Sequence, residues 1–137
     1  MRDADIDFIR GLYEVHNSAG AGFPDLLLER DYLHPEVEFV EFLAIPGAAT
    51  HRGPEAVADL FRGRFEAGDL QLEDVEVTPL DDRRAMVTFV ARIRGTGSGA
   101  QAAMQLWNLF TLDGSQIARI EEFNDEASAL AAAGAAG

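Results

Sequence analysis

The sequence predicts a single α+β domain built on an antiparallel sheet, and three observations carry that expectation. Segments with helical spacing of apolar residues come first, and four strand-like segments follow in succession. The turns between those strands are too short for crossover helices, so no parallel βαβ unit is required. The chain has 137 residues, 47% of them hydrophobic, which suffices for one core and is too few for two ordinary domains.

Each element has its own local reason. Asp5 to about Asn17 reads as a helix with Ile9, Leu12, Tyr13 and His16 as its buried stripe and Ile6 one turn earlier, ended by Ser18-Ala19-Gly20-Ala21-Gly22. A shorter helix is expected from Pro24 to about Asp31, with Phe23, Leu27 and Leu28 apolar, and His34-Pro35 breaks that pattern. Val37 to Phe42 reads as a strand with Val37, Phe39 and Glu41 on one face and Glu38, Val40 and Phe42 on the other. A loop then runs from Ile45 to Gly53, carrying Pro46, Gly47 and His51. Gly53-Pro54 opens a third helix with Val57, Leu60, Phe61 and Phe65 on one side, closed by Gly68.

The strands that follow are Leu70 to Val77, Ala85 to Arg94, Ala100 to Leu112 and Gln116 to Phe123. The last two form a hairpin about Asp113-Gly114-Ser115, and the rest of the chain is read as packing around it. Alternation puts Met104, Leu106, Asn108, Phe110 and Leu112 on one side of the first strand, and Ile120, Glu122 and Asn124 on one side of the second. A mostly apolar wall with a few polar groups is how a small-molecule pocket is lined. From Asp125 a short helix through Leu130 is expected, with residues 131–137 a low-complexity, disordered tail.

Composition narrows the function classes. Acidic residues outnumber basic ones 24 to 11, and the net charge of -13 would repel phosphate backbones and anionic lipid surfaces, so neither nucleic acid nor membrane is an expected partner. There is no cysteine, and the three histidines lack metal-ligand spacing, so no metal and no cofactor are expected. The start of the chain has no signal-peptide apolar core and no apolar run approaches membrane-spanning length, which gives a cytoplasmic protein as the expectation. The run Gly95-Thr96-Gly97-Ser98-Gly99 joins two strands and leads into no helix, so it reads as a hairpin loop and not as a phosphate cradle.

The order of elements, with His34-Pro35-Glu36-Val37-Glu38-Phe39, Arg52-Gly53-Pro54-Glu55-Ala56-Val57, Arg94-Gly95-Thr96-Gly97-Ser98-Gly99 and Leu112-Asp113-Gly114-Ser115-Gln116-Ile117-Ala118-Arg119-Ile120-Glu121-Glu122-Phe123, resembles the nuclear transport factor two-like superfamily. Within it the chain is most similar to the SnoaL-like polyketide cyclase and ketosteroid isomerase branch. The resemblance implies a cone-shaped, curved sheet folded over the helices with a cavity inside. That superfamily mixes enzymes, binding proteins and scaffolds, so the fold alone supplies no function.

The resemblance also nominates residues. Glu122 matches the position where SnoaL-like cyclases and limonene epoxide hydrolases carry their acid or base aspartate, and a carboxyl group desolvated there would suit proton transfer; the alternative is a solvated strand-end glutamate. Asn108 matches the oxyanion-stabilising aspartate of ketosteroid isomerases and would donate a hydrogen bond to a ligand carbonyl; otherwise it is satisfied by backbone or water. Glu41 falls near the isomerase general base, with Val40 one residue away. His16 or Tyr13 approximates the isomerase's first-helix tyrosine, against the reading of His16 as a satisfied core histidine. Arg92 matches the arginine of the epoxide hydrolases or is an exposed strand arginine, and His51 lies at the pocket mouth or in solvent. Asn124 either shares the Glu122 face or caps the last helix. Phe39, Phe61, Phe65, Leu106 and Phe110 would supply the apolar lining for a small, apolar, cyclic organic ligand.

Two functions of different class follow. One is a cofactor-independent isomerase, cyclase or hydrolase working through its carboxylates; the other is a non-catalytic ligand-binding or dimerisation module of the same fold. The later strands are apolar on both sides, with Met86, Val90, Trp107 and Leu109 opposite the cavity side, so a homodimer through the outer sheet face is also expected.

Overall fold

A computed structural model of the chain describes residues 1–41, 49–95 and 101–134. Helix α1 (Asp3–Ala19) and α2 (Phe23–Glu29) lead into strand β1 (Leu33–Glu41), a short β2 (Thr50–Arg52) and helix α3 (Pro54–Ala67). Strands β3 (Gly68–Pro79), β4 (Arg84–Gly95), β5 (Gln101–Asp113) and β6 (Gln116–Phe123) follow, and α4 (Glu126–Gly134) ends the described chain. The expected strand end at Phe42, the loop start at Ile45-Pro46-Gly47, the glycine-rich turn at 96–99 and the tail at 135–137 lie outside the described residues.

The six strands form one curved, unclosed sheet in the order β2-β1-β6-β5-β4-β3. Its pairs are antiparallel except one, since β1 runs parallel to β6. The α+β class therefore holds, but the sheet is mixed and not wholly antiparallel. A parallel neighbour needs a long connection, and here that connection is most of the domain, which pattern reading of adjacent segments does not register. β1 also begins earlier than expected and takes in His34-Pro35, while the short β2 occupies part of the expected loop. The proline is tolerated because the β1–β6 ladder is irregular between Leu33 and Glu38.

Helices α1, α2 and α3 fill the concave side of the sheet. Ile9, Leu12, Tyr13 and His16 of α1 are buried, as the helical spacing indicates, and join Phe23 and Leu27 of α2. The sheet meets them with Val37, Phe39, Val87, Phe89, Phe110 and Ile120. Gly114, with φ of 61°, makes the turn of the β5–β6 hairpin, where a side chain would be strained. Gly68 has a different reason to be glycine: a Cβ there would sit 2.6 Å from the Arg94 carbonyl oxygen, so β3 can approach β4 only without a side chain.

The convex side carries a second, smaller apolar layer. Met86, Leu109 and Phe123 are covered by Ala129 of α4, with Trp107, Ala132 and Ala133 packed at its margin. The sheet's two-sided apolar pattern thus has a partner within the chain itself. Residues 131–134 accordingly continue the helix and are not the frayed tail expected. Asp125 caps this helix, its Oδ1 accepting from the Ser128 backbone N–H at 2.7 Å, while Asn124 is exposed and does not serve as the cap.

Candidate active site

Between α1, α3 and the concave sheet lies a pocket of about 500 Å³. Strand register brings its polar residues together: Glu41 of β1 is opposite Glu122 of β6, and Glu122 is opposite Asn108 of β5. Because paired residues point to the same face, the three side chains form one row across adjacent strands. The next row is apolar, with Phe39 beside Ile120 and Ile120 beside Phe110. All six line the pocket, as do Tyr13 and His16 from α1, Phe61 from α3 and Leu106 from β5. Met104 and Ile93 line it too while remaining exposed, so the pocket meets solvent beside them.

Glu122 is 1% exposed and is not an isolated acid. Arg64 of α3 grips it with both arms, Nη1 donating to Oε2 at 3.0 Å and Nη2 to Oε1 at 2.7 Å. The same Nη2 reaches Glu41 Oε2 at 3.5 Å. Glu41 Oε1 in turn accepts from His51 Nε2 at 2.7 Å. The result is a chain of four groups, Glu122–Arg64–Glu41–His51, running from the pocket floor to a histidine that is partly exposed. Burial works against the charge on Arg64, but the fields of Glu122 and then Glu41 outweigh it and raise its pKa above the ordinary guanidinium value. The guanidinium also lies over the Phe39 ring at 5.2 Å and the Phe61 ring at 5.8 Å.

A second polar group sits on the α1 side. Asn108 Nδ2 donates to the Tyr13 hydroxyl at 2.9 Å, leaving Asn108 Oδ1 buried with no partner among the described residues. The amide keeps a second N–H beyond the one given to Tyr13, so Asn108 retains a donor as well as that acceptor. Burial first, then the nearby Glu122 charge, push the Tyr13 phenol well above its usual pKa, against the opposing bond from Asn108. His16 Nδ1 lies 3.1 Å from Asn17 Oδ1, an oxygen that already accepts from the Leu72 backbone N–H at 2.9 Å. Since that oxygen can only accept, Nδ1 must carry the proton and Nε2 is left as a bare lone pair. Nε2 has no partner among the described residues. Burial drives the His16 pKa down to about 4, the Arg64 charge adds to the effect and the Asn17 bond opposes it, so the ring is neutral at pH 7.

Three nominated residues fall outside the lining. Arg92 is exposed on β4 and pairs with Glu73 at 2.8 Å; its alternation phase puts it on the face away from the pocket, which overturns its place among the ligand-binding residues. Phe65 packs against the His16 ring at 4.9 Å, one layer behind the pocket wall. His51 touches Glu41 and not the pocket itself. Arg64 is the residue the sequence reading passed over. It stands three positions after Phe61 and seven after Val57, on the apolar stripe of α3, and a cation at a stripe position was the available signal. Asn17 was passed over too, having been read only as a helix end; its side chain pairs with both the N–H and, at 2.7 Å, the carbonyl of Leu72.

No family model matches the chain, and no curated protein does. Solved structures do. A protein of Xanthomonas campestris pv. campestris provisionally assigned as a polyketide cyclase superposes with a TM-score of 0.75 at 19% identity, over 96% of this chain and 98% of that one. An NTF2-like protein of Burkholderia xenovorans gives 0.70 at 21% identity, over 94% and 95%. TerC, co-crystallised with polyporic acid, gives 0.71 at 16% identity, over 90% and 93%. At these identities the likeness establishes the fold, the NTF2-like fold shared with SnoaL-like polyketide cyclases.

Proposed function

We propose that this chain, with the NTF2-like fold as its premise, binds a small, mainly apolar ring compound and moves a proton on it without a cofactor, as an isomerase, cyclase or hydrolase of the SnoaL-like kind. The observation that carries this reading is the row Glu41, Glu122 and Asn108, clamped by Arg64 at one wall of an otherwise apolar pocket. A carboxylate at that wall takes a proton from an acidic C–H or hydroxyl of the ligand, and the guanidinium between the two carboxylates offsets the charge that develops. Glu41 is hydrogen-bonded to the partly exposed His51, so a proton taken up by Glu41 has a neighbour toward the surface, whereas Arg64 holds its own proton and relays none from Glu122.

Replacing Glu122 by Gln keeps the shape and removes the proton acceptor. Turnover on a true substrate should drop about a hundredfold or more while binding persists. Unchanged turnover rejects Glu122 as the acid or base. A second reading has its own support: both Glu122 oxygens are already bridged by Arg64, as suits a structural ion pair in a pure binding protein. Tight ligand binding with no turnover across a panel of carbonyl compounds and epoxides would favour it.

The reading includes two statements about partners. The chain forms a homodimer through the part of the convex face that α4 leaves open, around Thr88, Val90, Gln105 and Trp107, of which none is fully buried. It does not bind DNA or RNA at physiological salt, given its net charge of -13.

A further inference from the structure

Resting on the reading of the pocket as a ligand site, the change in its lining from floor to mouth restricts what the ligand is. Around the polar row the lining is aromatic, with Tyr13, Phe39, Phe61 and Phe110 at the pocket. Outward it turns aliphatic. Register sets Leu72 beside Ala91 and Ala91 beside Met104 in one row, with Leu70 beside Ile93 in the row beyond, and all five line the pocket. From Asn108 to Met104 strand β5 advances about 13 Å, so the mouth stands more than one ring's width from the polar row.

The outer end of this track is left uncovered. Ile93 is 37% exposed and Met104 47%, whereas Leu80 and Leu130, the other exposed large apolar side chains among the described residues, lie outside the pocket. An apolar wall that continues from a buried pocket into solvent gains by being covered. Helix α3 lines the pocket opposite the sheet with Gly63 and Ala67. A glycine inside a helix costs stability relative to alanine, yet a Cβ at Gly63 would meet no neighbouring atom within 4 Å. Packing therefore does not demand the glycine, and the space it leaves is open to a ligand.

The track offers no charged or hydrogen-bonding side chain; Glu41, Arg64 and Glu122 stand at the floor, and Asp59, the remaining charged lining residue, pairs with Arg62. It offers no aromatic face on which a further fused ring would stack either. A flexible alkyl chain matches it better, and the Met104 side chain adapts to such a chain's path.

We propose that the ligand is a ring compound carrying a straight alkyl chain. The ring sits at the aromatic end beside Glu41, Glu122 and Asn108, and the chain runs between Gly63 and Ala67 on one side and Ala91, Met104 and Ile93 on the other, ending at the mouth.

The test is calorimetric titration of the full chain with para-alkylphenols bearing ethyl, butyl, hexyl, octyl and dodecyl chains, each kept below the concentration at which it self-associates. A rigid control, para-phenylphenol, has the carbon count of the hexyl compound, and methyl NMR of Met104 is recorded alongside. Affinity should rise about three- to fourfold with each methylene from butyl to octyl and level off at dodecyl, and the hexyl compound should bind more tightly than the phenyl one. The Met104 methyl resonance should move with octylphenol and not with ethylphenol. Gly63→Leu replaces a helix glycine by a better helix former and fills the track, so it should cut the octyl-to-ethyl affinity ratio about tenfold or more. Met104→Asp, at an exposed position, should cut it severalfold. A ratio near one in the parent chain, a ratio unchanged in either variant, tighter binding of phenylphenol than of hexylphenol, or a Met104 methyl unmoved by bound octylphenol would each overturn the inference while leaving the ligand-site reading in place. Failure of every phenol to bind would remove the ligand-site reading and the inference with it.

Discussion

A neutral His16 ties stability to pH in a predictable direction. Its folded pKa of about 4 lies below the unfolded value of 6.5, so as pH falls the unfolded chain takes up a proton that the folded chain refuses. Stability contributed by this group is complete above pH 6.5 and is lost as pH drops from there toward 4, on the order of 3 kcal/mol at the lower end. Asp5 and Asp81, whose pKa values are lowered from 3.8, contribute stability that is lost at lower pH than this. Urea unfolding at pH 7 and pH 4.5 should therefore show a smaller acid loss in His16→Phe than in the parent chain. Arg64 gives a second prediction at the same scale. Arg64→Met strands the buried Glu122 charge and should cost about 3–5 kcal/mol, whereas the double change of Arg64 and Glu122 to Met should recover most of it. A double-mutant cycle in urea measures both, and a single variant as stable as the parent would mean that the pair is not buried as described. At this scale the sequence was partly legible. Strand alternation alone puts Asn108, Glu122 and Glu41 on inward faces, but the partner that Asn108 takes is Tyr13, nearly a hundred residues away, and no local pattern encodes that.

Elements were more legible than their partners. α3 runs from Pro54 to Ala67 as its Gly-Pro start and glycine stop indicate, and β6 has the bounds read from alternation. What pattern reading lacks is the third dimension: β2 is three residues long, too short to show a period, and the parallel seam between β1 and β6 joins segments from opposite ends of the chain. Helix α4 was shortened because alanine-rich sequence carries little amphipathic contrast, and its buried Ala129 is recognisable only once the apolar patch beneath it is known. The tightest element-level constraint is at Gly68. Gly68→Ala pushes a methyl group into the Arg94 carbonyl and should destabilise the domain by about 1–3 kcal/mol, the range for overpacking, seen as a lower urea midpoint with little change in slope. Because its φ of 169° is ordinary extended backbone, the effect is steric and not conformational.

For the whole molecule, the proposed homodimer predicts a sedimenting mass of twice 14.9 kDa at micromolar concentration. The opposing term is charge, since two chains of net charge -13 repel, and added salt should tighten the association by screening. A monomer at every salt concentration would reject the dimer. Whole-molecule organisation also has a consequence in time. The row of Glu41, Glu122 and Asn108 draws on the first strand and the last two, and the ladder that joins them is the parallel seam of highest sequence separation. Contacts between distant segments pay their loop entropy before any reward, so they form late. On a ribosome, β1 waits with Glu41 until β6 has been synthesised. Arg64, made well before Glu122, faces Glu41 alone in the interim. A nascent chain lacking β6 would therefore lack both Glu122 and the seam that sets Glu41 in its row, so the polar wall closes only when that strand joins.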